Sequence, residues 1–183
     1  MTDKPVGRDA VVTALKTATT ELIVKKGTNV SVREIAGHAG VNHGLIHTYF
    51  GSKDNLVTAA LDDLNERATN DLDAEGFPPP DLASRRGGEL AKVIARVQLE
   101  AAQNLFSEHP IMGRWRDALV RSQPDLTTEE IDLMIITSSA LGLGWAVFAE
   151  HLSRLNGLDD ERRTALDEHI TGLVAELGGI PAN

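Results

Sequence analysis

The sequence predicts an all-α protein. Apolar residues recur at three- and four-residue spacing along most of its 183 residues. No stretch alternates apolar and polar residues as a half-buried strand would. Glycines, prolines and capping residues fall where the apolar runs begin and end.

The elements follow in order. Residues 9 to 26 place Val11, Leu15, Ala18 and Leu22 on one face, and Gly27 ends that helix after Lys25 and Lys26. Ser31 and Glu34 form an S-x-x-E capping box, in which hydroxyl and carboxylate each take an orphan backbone N–H. It opens a short helix with Val32, Ile35, Ala36 and Ala39 on its apolar face, and Gly40 closes it. Asn42 caps a third helix running to about Tyr49, with Ile46 and Phe50 pointing inward. Ser52 caps a fourth, through Leu56, Ala60, Leu61 and Leu64 towards residue 72. Three consecutive prolines make residues 73 to 84 a loop. Four more helices are expected at about 84 to 107, 111 to 121, 127 to 155 and 159 to 177.

Composition excludes several classes. There is no cysteine, so there is neither a disulfide framework nor a thiolate metal site. The N-terminus lacks the basic-then-apolar pattern of a secretion signal. No uninterrupted apolar run reaches the roughly 18 residues that span a bilayer. A cytoplasmic protein without a membrane partner is expected. The net charge is −9, but it is unevenly spread. Residues 1 to 53 carry seven basic and four acidic side chains, net +3, and the remaining 130 carry 11 and 23, net −12. A basic head on an acidic body is expected when one end meets a polyanion.

The helices at 32–39 and 43–49, joined at Gly40-Val41, have helix-turn-helix proportions. Helices this short are marginal alone and gain by being placed against something. In such a motif the second helix enters the major groove of DNA and its first residues meet base edges.

The stretch Ser31-Val32-Arg33-Glu34-Ile35-Ala36, then Ala39-Gly40-Val41, Gly44, Ile46, Tyr49-Phe50 and Ser52-Lys53-Asp54-Asn55-Leu56, resembles the reader signature of the TetR family of transcriptional regulators. The motif covers about 26 residues, or about 50 with the first helix; the other 130 match only in helix count and length. The resemblance implies a DNA-binding domain at 1–53 and an effector-binding and dimerisation domain at 54–183. It implies a homodimer that binds a palindromic operator in double-stranded DNA and is released by a small organic effector: a repressor. An activator of the same fold, or an all-α small-molecule binding protein or enzyme with a vestigial reader, are the alternatives.

Carried over residue by residue, Arg33 reaches a guanine edge or a phosphate. Ser31, His47, Tyr49 and Lys53 are phosphate candidates, and Asn42, His43, Gly44, Leu45 and Thr48 face the groove. Leu45 and Thr48 suit a thymine methyl, and His43 can donate to guanine. Two positions depart from the family pattern: Asn42 stands at the usual cap serine and His47 at the usual tyrosine. An imidazolium donates more strongly than a neutral ring. A histidine at 47 can donate to a phosphate as the usual tyrosine does.

His43 and His47 also have metal-ligand spacing, but with no candidate third ligand other than His38 and no glutamate after His43 they are read as groove residues, not a metal site. No nucleophile–base pair and no phosphate-cradling glycine loop occurs, so no catalytic residue and no cofactor is expected. Residues 132 to 152 are apolar on nearly every face, and a helix apolar all round is buried on all sides. One of those sides is read as a second subunit, and the resemblance implies a dimer through the last two helices. The effector candidates are Gln98, Phe106, Met112, Trp115, Met134, Thr137, Trp145 and Phe148, aromatic and apolar groups with a few polar ones.

Overall fold

The computed structural model describes residues 4–100 and 110–181. Eight α-helices and no strand occur among them: α1 (Arg8–Lys26), α2 (Val32–His38), α3 (Gly44–Phe50), α4 (Lys53–Thr69), α5 (Arg85–Glu100), α6 (Pro110–Ser122), α7 (Thr128–Leu155) and α8 (Asp160–Leu177). The chain divides into two compact units, Met1–Glu66 with Val93–Ser107, and Arg67–Lys92 with Glu108–Asn183.

The first unit is built as the periodicity requires. Val11, Leu15, Ala18 and Leu22 of α1 are buried with Val30, Ile35, Ala36, Ile46 and Leu56 in one cluster. Burying a side chain such as Leu15, Ile35, Ile46 or Leu56 contributes about 1.5–3 kcal/mol. Gly27 ends α1 at φ 85, a left-handed conformation that costs glycine little. The capping box forms: Glu34 N–H donates to Ser31 Oγ, and the Glu34 carboxylate accepts from Ser31 N–H at 2.9 Å. At the other end of α2, Gly40 at φ 69 lets Val41 N–H reach back to Ala36 C=O at 3.0 Å, and Val41 packs on the cluster.

One boundary differs from expectation. α4 stops at Thr69 rather than near 72, because the next residues turn back, Asp71 N–H onto Ala68 C=O and Leu72 N–H onto Thr69 C=O. The loop from 73 is better tied than three prolines suggest. The Asp73 carboxylate accepts the N–H groups of Gly76 and Phe77, each at 2.7 Å, and Phe77 is buried. The expected helix to 107 is described only to Glu100, and its remainder lies outside the described residues.

In the second unit, Phe77, Trp115, Ala118, Leu119, Ile131 and Ile135 form a core on which Met112, Leu126, Met134 and Ile180 pack. Trp115 Nε1 donates to Gly178 C=O at 3.1 Å, and Ser138 Oγ donates to Val174 C=O at 2.8 Å. A methyl group on Gly178 would stand 2.5 Å from the Trp115 ring, so close packing of α8 on α6 requires glycine there. α7 opens with a second capping box, Thr127 with Glu130, and has its most extensive helix contact with α8.

α7 corrects one expectation. By length and composition it is able to cross a membrane, with mean hydropathy 1.7 over its best 18 residues. Its apolar residues do not form one run, because near-neutral Thr137, Ser138, Ser139, Gly142 and Gly144 stand among them. It is also not buried on every side within one chain. Leu133 and Ile136 are each 66% exposed, Phe148 55%, Leu152 41% and Leu155 70%. With Ala140 and Gly144 between them these residues fall every three or four positions, on one continuous apolar stripe.

Candidate nucleic-acid interface

α3 has two faces. Ile46 is fully buried, and Leu45, Tyr49 and Phe50 pack half-buried on the same cluster. Asn42, His43, Gly44, His47 and Thr48 are exposed. Helical spacing sets this division: positions 45, 46, 49 and 50 take the core, leaving 43, 44, 47 and 48 outward. Asn42 Oδ1 accepts Gly44 N–H at 2.8 Å and so closes the start of α3. A Cβ on Gly44 would lie 3.2 Å from that oxygen. Thr48 Oγ1 donates to Gly44 C=O at 3.1 Å. His47 Nδ1 lies 3.2 Å from Gly51 C=O; when that nitrogen carries a proton it donates there, leaving Nε2 outward for a second partner.

The remaining candidates differ in how committed they are. Arg33, on the first turn of α2, is exposed and makes no hydrogen bond or ion pair among the described residues. The Ser31 hydroxyl is engaged in its capping box, donating to Glu34 Oε2 at 2.8 Å. Lys53 Nζ donates to Thr28 C=O at 3.1 Å, which leaves two of its three N–H groups for other partners. Leu45 spends part of its surface on the core.

Two features were not read from the sequence. The Arg8 guanidinium sits 5.8 Å from the centre of the Tyr49 ring, a cation over an aromatic face. Residues 41 positions apart give no local signal of such a pair. Lys26 Nζ donates to Glu34 Oε1 at 2.8 Å, so the carboxylate that caps α2 also ties it to the end of α1. The Lys26 ammonium first, then the Ser31 N–H and hydroxyl, hold the Glu34 carboxyl down to about 2 from an ordinary 4.5. A depressed carboxyl stabilises the fold above its unfolded value and loses that contribution as pH falls through the folded one. Acidification from about pH 4.5 to 2 is therefore expected to loosen α2. The check is thermal unfolding across that range, where Glu34→Gln should show a shallower loss than the parent; parallel curves would remove Glu34 from the explanation.

Outside this face the effector candidates scatter. Trp115, Met112 and Met134 belong to the core of the second unit. Thr137 and Phe148 are exposed, as is Gln98, which belongs to the first unit; Phe106 lies outside the described residues. Trp145 is buried, and its Nε1 donates to Asp167 Oδ1 at 2.7 Å. It therefore faces α8 within the subunit rather than the outer stripe, and a change at Trp145 tests the subunit's own packing. It also lines a cleft of about 390 Å³ with Asp81, Ser84, Gly88, Lys92, Arg163 and Thr171 among its walls. Among the described residues no group of three or more His, Asp or Glu side chains is placed to hold a metal ion.

Comparison with known proteins places this geometry. The family model for bacterial regulatory proteins of the tetR family matches residues 15–60, from within α1 into α4. The HTH-type transcriptional repressor Rv3405c of Mycobacterium tuberculosis is 33% identical over 178 residues, covering 93% of this chain and 92% of the relative. The HTH-type transcriptional regulator Mb3439c of Mycobacterium bovis matches to the same extent. The HTH-type transcriptional regulator EthR of Mycolicibacterium smegmatis is 30% identical over 125 residues, 67% of this chain and 52% of the relative. A buried helix-turn-helix core with an exposed α3 face, inside a chain alike to such regulators over nearly its whole length, identifies the protein as a DNA-binding transcriptional regulator of the TetR family.

Proposed function

We propose that the protein is a homodimeric repressor that binds a palindromic operator and leaves it when a small molecule binds. The observation that carries the DNA-reading part is the division of α3, with Ile46 fully buried and His43, Gly44, His47 and Thr48 exposed beside an uncommitted Arg33. Residues 1–53 are the reader and residues 54–183 the effector and dimerisation part. The name repressor borne by the Rv3405c relative supports repression over activation.

The apolar stripe of α7 supports dimerisation. A soluble single chain seldom leaves such a row exposed unless something covers it. One face of α7 is apolar and open, while its other face holds buried Ser138 and Ser153 and the Trp145–Asp167 bond. That one-sidedness suits a copy of the same helix better than a bilayer, which would surround it. A two-fold pair also sets two recognition helices one turn of DNA apart, or a small multiple of that.

The cleft beside Trp145 supports a small organic effector with both polar and apolar parts. Of the charged groups in its walls, Asp167 is engaged by the Trp145 indole and Asp81 by Arg85, so Arg163 favours a small molecule with an acidic group, and the indole favours a flat apolar part. Such a molecule releases DNA only by binding better to a conformation that fits the operator poorly. α4 and α5 each have residues in both compact units, and α4, which directly follows α3, is the element through which that preference would act.

The test is a titration against DNA upstream of the chain's own gene, at two salt concentrations, with and without aryl carboxylates such as benzoate. Specific binding with a palindromic footprint supports the reading. Weak, sequence-blind binding defeats it at that site, and displacement by no aryl carboxylate at millimolar concentration counts against an acidic effector.

A further inference from the structure

The turn between α1 and α2 is held by a residue far outside the motif. Glu100, at the end of α5 and 40 positions beyond the segment that the family model matches, accepts Thr28 N–H at 2.8 Å through Oε2. The Thr28 hydroxyl lies 3.5 Å from the same oxygen. The other carboxylate oxygen accepts from Arg96 Nη1 at 2.8 Å, one turn back on α5, so the side chain is fixed from both sides. Thr28 C=O in turn accepts from Lys53, the first residue of α4. One residue thus meets α5 through its N–H and α4 through its C=O.

Gly27 makes this possible. A methyl group there would overlap the Glu100 carboxylate, so the carboxylate rests where only glycine leaves room. The left-handed φ of 85 at the same residue is a second, independent demand for glycine. Four residues further on, Ser31 caps α2, which carries Arg33. The direction in which α2 leaves the turn is therefore set where Glu100 grips it.

We infer that Glu100 is a positioning residue for DNA binding: it holds the α1–α2 turn at Thr28 and thereby fixes where α2 presents Arg33. The Thr28 N–H first, then Arg96, hold the Glu100 carboxyl below its ordinary range, so it is the ionised form that makes the grip. The role runs against simple electrostatics. Removing a carboxylate from a DNA-binding protein should by itself raise affinity for a polyanion, whereas loss of a positioning contact should lower affinity for the specific site.

The experiment compares Glu100→Ala and Glu100→Gln in the full-length protein. Both lose the charge, but only the glutamine keeps an acceptor for Thr28 N–H. Alanine should weaken specific operator binding by roughly tenfold, the loss of one charge-assisted hydrogen bond in each subunit, with sequence-blind binding unchanged or slightly tighter. Glutamine should restore affinity to within about twofold. Backbone hydrogen exchange over residues 27 to 31 should be faster in the alanine variant and near normal in the glutamine variant. Equal behaviour of the two variants, or alanine binding as well as the parent, overturns the inference. The operator arm rests on the proposed function and the exchange arm does not: a parent without specific binding defeats that reading, while unchanged exchange in Glu100→Ala defeats this one. If Glu100→Ala lowers the melting temperature sharply, Arg96→Ala replaces it, with faster exchange at 27 to 31 and a smaller loss of operator affinity expected.

Discussion

Arg33→Ala is expected to remove specific operator binding while leaving the fold intact. Arg33 is exposed, is free of internal partners among the described residues, and stands on a helix whose start is fixed by other side chains. Alanine is at least as good a helix former, so little stability is at stake. A lost contact to a base edge or phosphate costs about 1–3 kcal/mol, and a two-fold dimer loses it twice. The specific constant should fall by at least about thirtyfold. The salt dependence tells which contact was lost. A phosphate contact takes away affinity for all sequences alike and flattens the salt slope by about one per subunit; a base contact takes away affinity for the operator alone. Fluorescence anisotropy on operator and scrambled duplexes at several salt concentrations reads both. Parent-like binding to both duplexes would put the reader elsewhere.

Phe148→Glu, and separately Ile136→Glu, are expected to give folded monomers. Both side chains are more than half exposed in the single chain, so glutamate costs little there. In a pair joined through α7 the same change buries an unpaired carboxylate, and buried unpaired charge is among the costliest defects a protein can carry. Association should weaken by at least about a hundredfold, about 3 kcal/mol or more. Analytical ultracentrifugation should show half the parent mass at micromolar concentration, with helical content unchanged. Operator affinity should fall with the dimer, because a lone reader holds one half-site. A Phe148→Glu protein that stays dimeric would place the interface off this stripe.

The fold was legible because helices announce themselves locally. Val11, Leu15, Ala18 and Leu22 share a face by spacing alone, and each is buried. Ser31 with Glu34 marks a helix start within four residues, and the box is formed. The outward row of α3 follows from the same arithmetic once Ile46 is placed inside. What was not legible joins residues distant in sequence. Arg8 over Tyr49, Lys26 on Glu34 and Glu100 on Thr28 depend on where folded segments arrive. The cleft resisted for the same reason. The expected set drew on aromatic and apolar side chains, yet Trp115 and Met134 fill the core, and Trp145 is the member of that set on the cleft wall, among charged residues from three separate stretches. Periodicity tells inside from outside; it does not tell a packed aromatic from one beside a hollow.

The open row of apolar side chains along α7 also bears on how many molecules a cell must hold. If two chains must meet before either grips DNA well, occupancy of the operator rises with the square of chain number while most chains are single. Halving the number then removes up to three quarters of the pairs. Single chains with Leu133, Ile136 and Leu155 bared are also the ones that proteases and chaperones recognise, so scarcity and turnover would reinforce one another. A gene under such control would open sharply as the regulator is diluted by growth, without any small molecule being present.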